Sequence, residues 1–264
     1  MTTEPQVPSQ DYWKIEYPAS AARPTGEAES HVLQKVYLLL ALRRWLRSAP
    51  EVYVGSNLLV YYRKGHPKCR VTPDIFVVWG VSKHARKIYK LWKEKQAPQV
   101  VIEITSDKTR EEDLGRKCAI YAEIGVPEYY VFDPHGEHLD PPLFAYRRVD
   151  ELIYKRRKVE AFSLFPDQPE NELQGWRVTS EKLQLELRAL PNDNPHLPYI
   201  LRLFDPKTGK TLVDPEQAME EREKLVGNVA AAEAHAKTLE AENALLRAEL
   251  AKLRGQARLN SSVQ

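Results

Sequence analysis

Two acids in this chain stand where an acid is costly. Asp74 follows Pro73 at the head of the apolar run Ile75-Phe76-Val77-Val78-Trp79. Glu103 lies 29 residues further on, inside Val100-Val101-Ile102-Glu103-Ile104. A carboxylate flanked by Val101, Ile102 and Ile104 loses its water in a buried strand, which is unfavourable unless something binds it. Two carboxylates on neighbouring strands make a cluster of hard oxygen ligands, the kind Mg2+ and Mn2+ favour. Such a cation polarises a phosphate oxygen and acidifies an attacking water.

Strand parity turns Glu103 and Thr105 to the same face. A lysine two positions after the glutamate would point at the same cation, and Thr105 occupies that position. In the next segment Asp113, Lys117 and Tyr121 fall at i, i+4 and i+8 and share one helical stripe. Lys117 is therefore expected to reach back over the strand and steady an attacking water or a developing charge. Tyr121 would orient it. Lys108, nearer in sequence, is the other candidate ammonium.

The elements that must hold these residues read as follows. Val32, Leu33, Val36, Leu39, Leu40 and Leu46 recur at helical spacing over residues 27–47, and that face is expected to turn inward. Glu29 extends its stripe through Leu33, Val36 and Leu40. Strand-like runs follow at 51–63, 75–79, 99–104 and 128–132, with an exposed helix expected over 84–95. Residues 109–124 read as a helix that opens on the capping box Thr109-Arg110-Glu111-Glu112 and closes at Gly125, with Pro127 beyond. Strand, helix and strand in that order make an α/β unit whose strands could run parallel. Further β structure is expected over 143–187, and Leu201 to Phe204 reads as a last strand turned by Asp205-Pro206-Lys207-Thr208-Gly209.

The whole-chain balance is nearly neutral, with 39 basic and 37 acidic residues and a formal charge of +2. Locally it is not. From Tyr61 to Gln96 ten lysines and arginines face only Asp74 and Glu94. A basic edge beside a cation site is what a phosphate backbone needs, although charge runs commonly mark a solvated face. Trp79, Tyr89 and Trp92 in that stretch read as core or interface anchors. No run approaches the roughly 20 apolar residues of a membrane helix, and the N-terminus lacks the basic start and apolar run of a secretory signal. Cys69 and Cys118 form no disulfide framework, so a reducing, cytoplasmic setting is expected. Cys118 reads as core, His31 as structural or exposed, and His135-x-x-His138 as a weak zinc pair with no further Cys or His nearby to complete it.

In order along the chain, Pro73-Asp74, VVIEITS, Thr109…Asp113…Lys117…Tyr121, Gly125-Val126-Pro127-Glu128-Tyr129 and Asp133-Pro134 resemble the Uma2 family of endonucleases, within the PD-(D/E)XK restriction-endonuclease-like superfamily. The tail GW…LQLELRAL…ILRLFDPKTGKTL resembles the end of that family's domain, so the likeness covers roughly residues 20–215. It implies an α/β, restriction-endonuclease-like core: a mixed sheet flanked by helices. It implies Mg2+ or Mn2+ held by Asp74 and Glu103, with Glu29 matching the acid many superfamily members place on the first helix. Lys117 matches the helix lysine that stands in for the strand lysine. The implied activity is hydrolysis of DNA phosphodiesters. The departure is Thr105, which leaves a second reading open: a nuclease-fold module that binds DNA or assembles without cutting.

The chain then divides into an irregular lead-in (1–26), the nuclease-like domain (27–214), a coiled-coil helix (215–258) and a tail (259–264). The last helix carries its own signal. Ala218, Leu225, Ala232, Leu239, Leu246 and Leu253 fall at d, and Arg222, Val229, Ala236, Asn243, Leu250 and Ala257 at a. Leucine at d with a lone asparagine at a favours two parallel strands. A dimer through residues 218–257 is expected, a homodimer or a pairing with a related chain.

Overall fold

In the computed structural model, the structure describes residues 17–18, 28–164 and 174–212, together with Lys224, Gly227, Asn228, His235, Lys237 and Leu239. Contacts divide the chain into two units, residues 1–212 and 213–264. In the second unit the described positions are helical. The heptad pattern falls almost entirely on residues outside those described.

The first unit is mixed α/β. Its elements begin with helix α1 (Glu29–Trp45), strand β1 (Val52–Ser56), β2 (Val60–Tyr61), β3 (Arg70–Val71), β4 (Ile75–Trp79) and β5 (Tyr89–Lys90). The short helix α2 (Leu91–Glu94) and strand β6 (Val100–Ile104) come next. A π-helical stretch, Glu112–Lys117, runs straight into α3 (Cys118–Glu123), and β7 (Glu128–Phe132) follows. The remaining strands are β8 (Leu143–Asp150), β9 (Ile153–Arg157), β10 (Glu160–Ser163), β11 (Gln174–Ser180), β12 (Leu185–Pro191), β13 (Tyr199–Asp205) and β14 (Lys210–Thr211).

The central sheet has the order β1-β4-β6-β7-β8-β9, and only β6 and β7 within it are parallel. That pair, joined through α3, is the α/β unit legible in the sequence. Its helix ends as Gly125 foretells: Gly125 takes φ +87°, and the N–H of Val126 returns to the carbonyl of Tyr121. A five-stranded sheet runs β10-β11-β12-β13-β14, and a three-stranded one β3-β2-β5.

Side chains alternate across the central sheet. Ile75 and Val77, with Val100, Ile102 and Ile104, face α1 and the Leu185, Leu187, Leu201 and Leu203 side chains of the five-stranded sheet. Phe76, Val78, Val101 and Val131 face the other way, toward Ile120 and Tyr121 of α3 and toward Val60, Val71 and Tyr89 of the small sheet. By the same parity Asp74 and Glu103 belong to the second face.

Three expectations change. The apolar stripe of α1 points outward: Val32, Leu33, Val36 and Leu40 are 39–54% exposed. The buried face is instead His31, Gln34, Lys35, Tyr37, Leu38, Ala41 and Leu42. The reason is polar anchoring. Gln34 Nε2 donates to the carbonyl of Leu201, whose N–H donates to Gln34 Oε1, and the Tyr37 hydroxyl accepts from the N–H of Leu203 while donating to the carbonyl of Leu212. Second, residues 84–95 are not one exposed helix. Tyr89 is fully buried in β5, its N–H bonded to Leu59 O and its hydroxyl to Gln96 O, and only Leu91–Glu94 is helical. Third, Thr109 does not cap by the expected box. Its hydroxyl oxygen accepts from the Ser106 N–H at 3.1 Å, which turns it backward into the loop.

Candidate active site

The antiparallel register of β4 and β6 pairs Ile75 with Ile102 and Phe76 with Val101. One step further along this ladder Asp74 faces Glu103, and directly opposed residues share a face, with Cβ atoms about 4.5–5.5 Å apart. The two acids are stitched together by main chain. The N–H of Asp74 donates to Glu103 Oε2 at 3.1 Å, and the N–H of Ile104 donates to Asp74 Oδ2 at 2.8 Å.

Lys117 arrives from the π-helical stretch. Its Nζ lies 3.1 Å from Glu103 Oε2 and 2.8 Å from Asp113 Oδ1. The π-helical turn widens the helix by one residue there, and such bulges recur at functional positions. Tyr121, one turn on, donates its hydroxyl to Glu103 Oε1 at 2.5 Å, so it orients the carboxylate and not the lysine. Tyr129 fixes the helix by donating to the carbonyl of Asp113 at 2.8 Å.

Glu103 is fully buried, and Lys117 and Asp113 are buried with it. Burial pushes the Glu103 carboxyl well above the usual carboxylate range, against the pull of Lys117, and the nearby Asp74 and Asp113 push the same way. Asp74 moves oppositely. Burial raises it, but the hydrogen bond and charge of His31, the charge of Lys117 and the Ile104 N–H outweigh that and leave it below its ordinary value of 3.8. Burial lowers Lys117, and Glu103, Asp113 and Asp74 more than reverse this, so its ammonium holds its proton.

α1 contributes residues the sequence reading did not place in the site. His31 Nε2 is 3.2 Å from Asp74 Oδ2, and Lys35 Nζ is 3.9 Å from Asp74 Oδ1. These two are spaced i, i+4, a signal present in the sequence but hidden by the more apolar stripe beside it. Asp113 is likewise drawn in, as the second acid on Lys117. Glu29 is exposed at the first turn. It lies two residues before His31, about 160° away around the helix at roughly 100° per residue. The structure therefore brings Asp74, Glu103 and Lys117 together and turns Glu29 outward; the inversion of α1 is the reason. Lys108 is exposed on the turn after β6.

Two cavities flank the cluster. One, about 520 Å³, is lined by Lys68, Arg70, Arg116 and Lys117 among others. The other, about 650 Å³, is lined by His31, Asn57, Thr105 and the two loops that follow β6 and β7. The basic stretch of sequence thus splits. Lys68 and Arg70 face the site's groove, whereas Arg86 is bound to Glu94 through two 2.9 Å hydrogen bonds and Lys83 to the carbonyls of Leu46 and Arg47.

Opposed carboxylates on a mixed sheet, with a helix-borne lysine over them, make a compact acid–lysine cluster. The model of the Uma2 family, described as putative restriction endonuclease, matches residues 6–188, and the chain belongs to this family. Among solved structures it is similar to a putative nuclease belonging to DUF820 from Anabaena variabilis ATCC 29413. That likeness has 15% sequence identity, a TM-score of 0.37, and coverage of 53% of this chain and 74% of the other. No curated protein matches the chain. No helix among the described residues is long and apolar enough to cross a membrane.

Proposed function

We propose that the chain is a metal-dependent endonuclease that hydrolyses phosphodiester bonds in DNA, with residues 27–214 as its nuclease domain. The observation that carries this reading is the cross-strand opposition of Asp74 and Glu103 with Lys117 bridging from the next helix. The donor set fits a divalent cation. Two buried carboxylates, Glu103 and Asp113, and the half-buried Asp74 meet two ammonium groups, Lys35 and Lys117. Burial holds Glu103 toward its protonated form, so a cation there would replace a proton.

Asp74 and Glu103 would hold Mg2+ or Mn2+, which polarises the phosphate and acidifies a bound water. The chain's own residues do the rest. Tyr121 and the Asp74 N–H fix the Glu103 carboxylate. Lys117, kept charged by its acids, places an ammonium where negative charge develops on the phosphate oxygens. Lys68, Arg70 and Arg116 line the groove through which a phosphate backbone would approach, and that attraction weakens with salt. Lys117 supplies from the helix the ammonium that Thr105 cannot supply from the strand, which favours cleavage over the non-cutting module. Two such domains joined through residues 218–257 would suit cutting both strands of a duplex.

The test is nicking of supercoiled plasmid by the full chain with Mg2+ or Mn2+, beside Asp74→Asn and Lys117→Met. Metal-dependent nicking by the wild type, lost in both variants that remain folded by circular dichroism, is expected. Nicking that survives Asp74→Asn, or a folded wild type that binds DNA but never cuts it, overturns the proposal.

A further inference from the structure

The loops after β6 and β7 meet, because parallel neighbours end side by side and ligand sites of α/β sheets form at those carboxyl ends. Their meeting gathers Asp107 from the first loop with Glu137 and His138 from the second. One ligand atom from each of the three lies within 4.8 Å of the others, and His138 Nε2 is 2.6 Å from Asp107 Oδ1. The sequence showed His138 only as half of a weak histidine pair; the partners that complete it are carboxylates brought from elsewhere in the fold.

The second loop is built to hold this shape. Asp133 is fully buried, and its carboxylate accepts from the N–H groups of His135 at 3.0 Å, His138 at 2.7 Å and Leu139 at 3.1 Å. Its grip is on main chain, so the side chains of Glu137 and His138 are left to face outward from a fixed frame. A second observation points to a ligand. Thr105, only 1% exposed, lines the same 650 Å³ cavity, and its hydroxyl oxygen has no hydrogen-bond partner among the described residues. Buried hydroxyls nearly always have one. An oxygen brought into the cavity, as water on a cation or as a phosphate oxygen, would complete it. His31, which touches Asp74, lines the cavity as well.

We propose that Asp107, Glu137 and His138 form a second cation site, distinct from the Asp74–Glu103 cluster, that takes a divalent transition metal of the Zn2+ class. The donor set selects the metal. Imidazole nitrogen suits Zn2+ and its neighbours, whereas Mg2+ is held by oxygen and water. Three protein ligands also leave coordination positions open toward the cavity. The site stands whether or not the chain cleaves DNA, because it is read by binding.

Co2+ serves as a coloured substitute for Zn2+. Titrated into the full chain near neutral pH, it is expected to give a visible d–d band that Zn2+ bleaches. The band should persist in Asp74→Asn and be lost, with binding weakened by roughly tenfold or more, in Glu137→Gln and in His138→Gln. Both substitutions leave the Asp133 frame intact, and thermal unfolding checks that. A band unchanged by Glu137→Gln and His138→Gln, or one removed by Asp74→Asn alone, overturns the proposal.

Discussion

Lys117 is a buried ion-pair partner of two acids, and this changes what its loss does. A surface helix lysine is dispensable to within about ±0.5 kcal/mol, but stripping the ammonium from Glu103 and Asp113 leaves buried charge, an effect of about 3–5 kcal/mol in comparable sites. The penalty depends on pH. Glu103 already sits above its ordinary value of 4.5 in the fold, and removal of Lys117 raises it further. A group raised on folding stabilises fully below its unfolded pKa and loses that contribution as pH rises through the folded one. Urea midpoints of Lys117→Met should therefore lie closest to wild type near about pH 5 and fall away toward alkaline pH; a constant difference would mean that Glu103 does not take up the proton. At this scale Asp74, Glu103 and Lys117 were legible, because an acid inside an apolar strand and a lysine on a helical stripe need no tertiary knowledge. Asp113 was read on the same stripe without a role, and His31 and Lys35 were not placed at all, because polar residues on a helix look solvated until the strand beneath them is known to carry an acid.

α1 shows how an element can be placed correctly and faced wrongly. Its helical period was plain, but of the apolar residues expected inward only Leu39 and Leu46 pack against the core, Val32, Leu33, Val36 and Leu40 are exposed, and the buried face carries a histidine, a glutamine and a lysine. The buried face combines Tyr37, Leu38, Ala41 and Leu42 with the hydrogen bonds of Gln34 and Tyr37 to β13 and the contacts of His31 and Lys35 with Asp74. Leu33→Ser should then shift the urea midpoint by no more than about 0.5 kcal/mol, while Leu38→Ala should cost about 2–5 kcal/mol. The reverse order would restore the sequence-based facing. The β6–α3–β7 unit was read correctly because short apolar runs, a glycine stop and a proline are local signals. Tyr89 was read as a core or interface anchor and is fully buried, but its strand was missed because it is two residues long and its partners, Leu59 and Gln96, reach it from separate turns.

For the whole molecule the open proposal is assembly. The described part of the C-terminal unit is helical, and Leu239, a d position of the heptad, is 44% exposed in the single chain. An exposed leucine at a seam position is what a partner helix covers. Sedimentation of the full chain at micromolar concentration should give a dimer, and a version ending at Asp214 a monomer; a monomeric full chain ends the proposal. The mixed sheet and its helices were foreseeable from the order of motifs. The division of the β structure into three sheets was not, since strands β2, β3 and β5 are two residues each and leave almost no pattern.

The pairing of Gln34 with Leu201 has a consequence of another kind. A side-chain amide offers one donor and one acceptor at nearly the spacing of a peptide group, and at Leu201 it takes up both main-chain groups on the edge of β13 that β14 leaves uncovered. Tyr37 does the same for the N–H of Leu203. A helix thus imitates a strand. At Leu201 and at the N–H of Leu203 the edge of β13 is already bonded, which withholds those groups from an added strand.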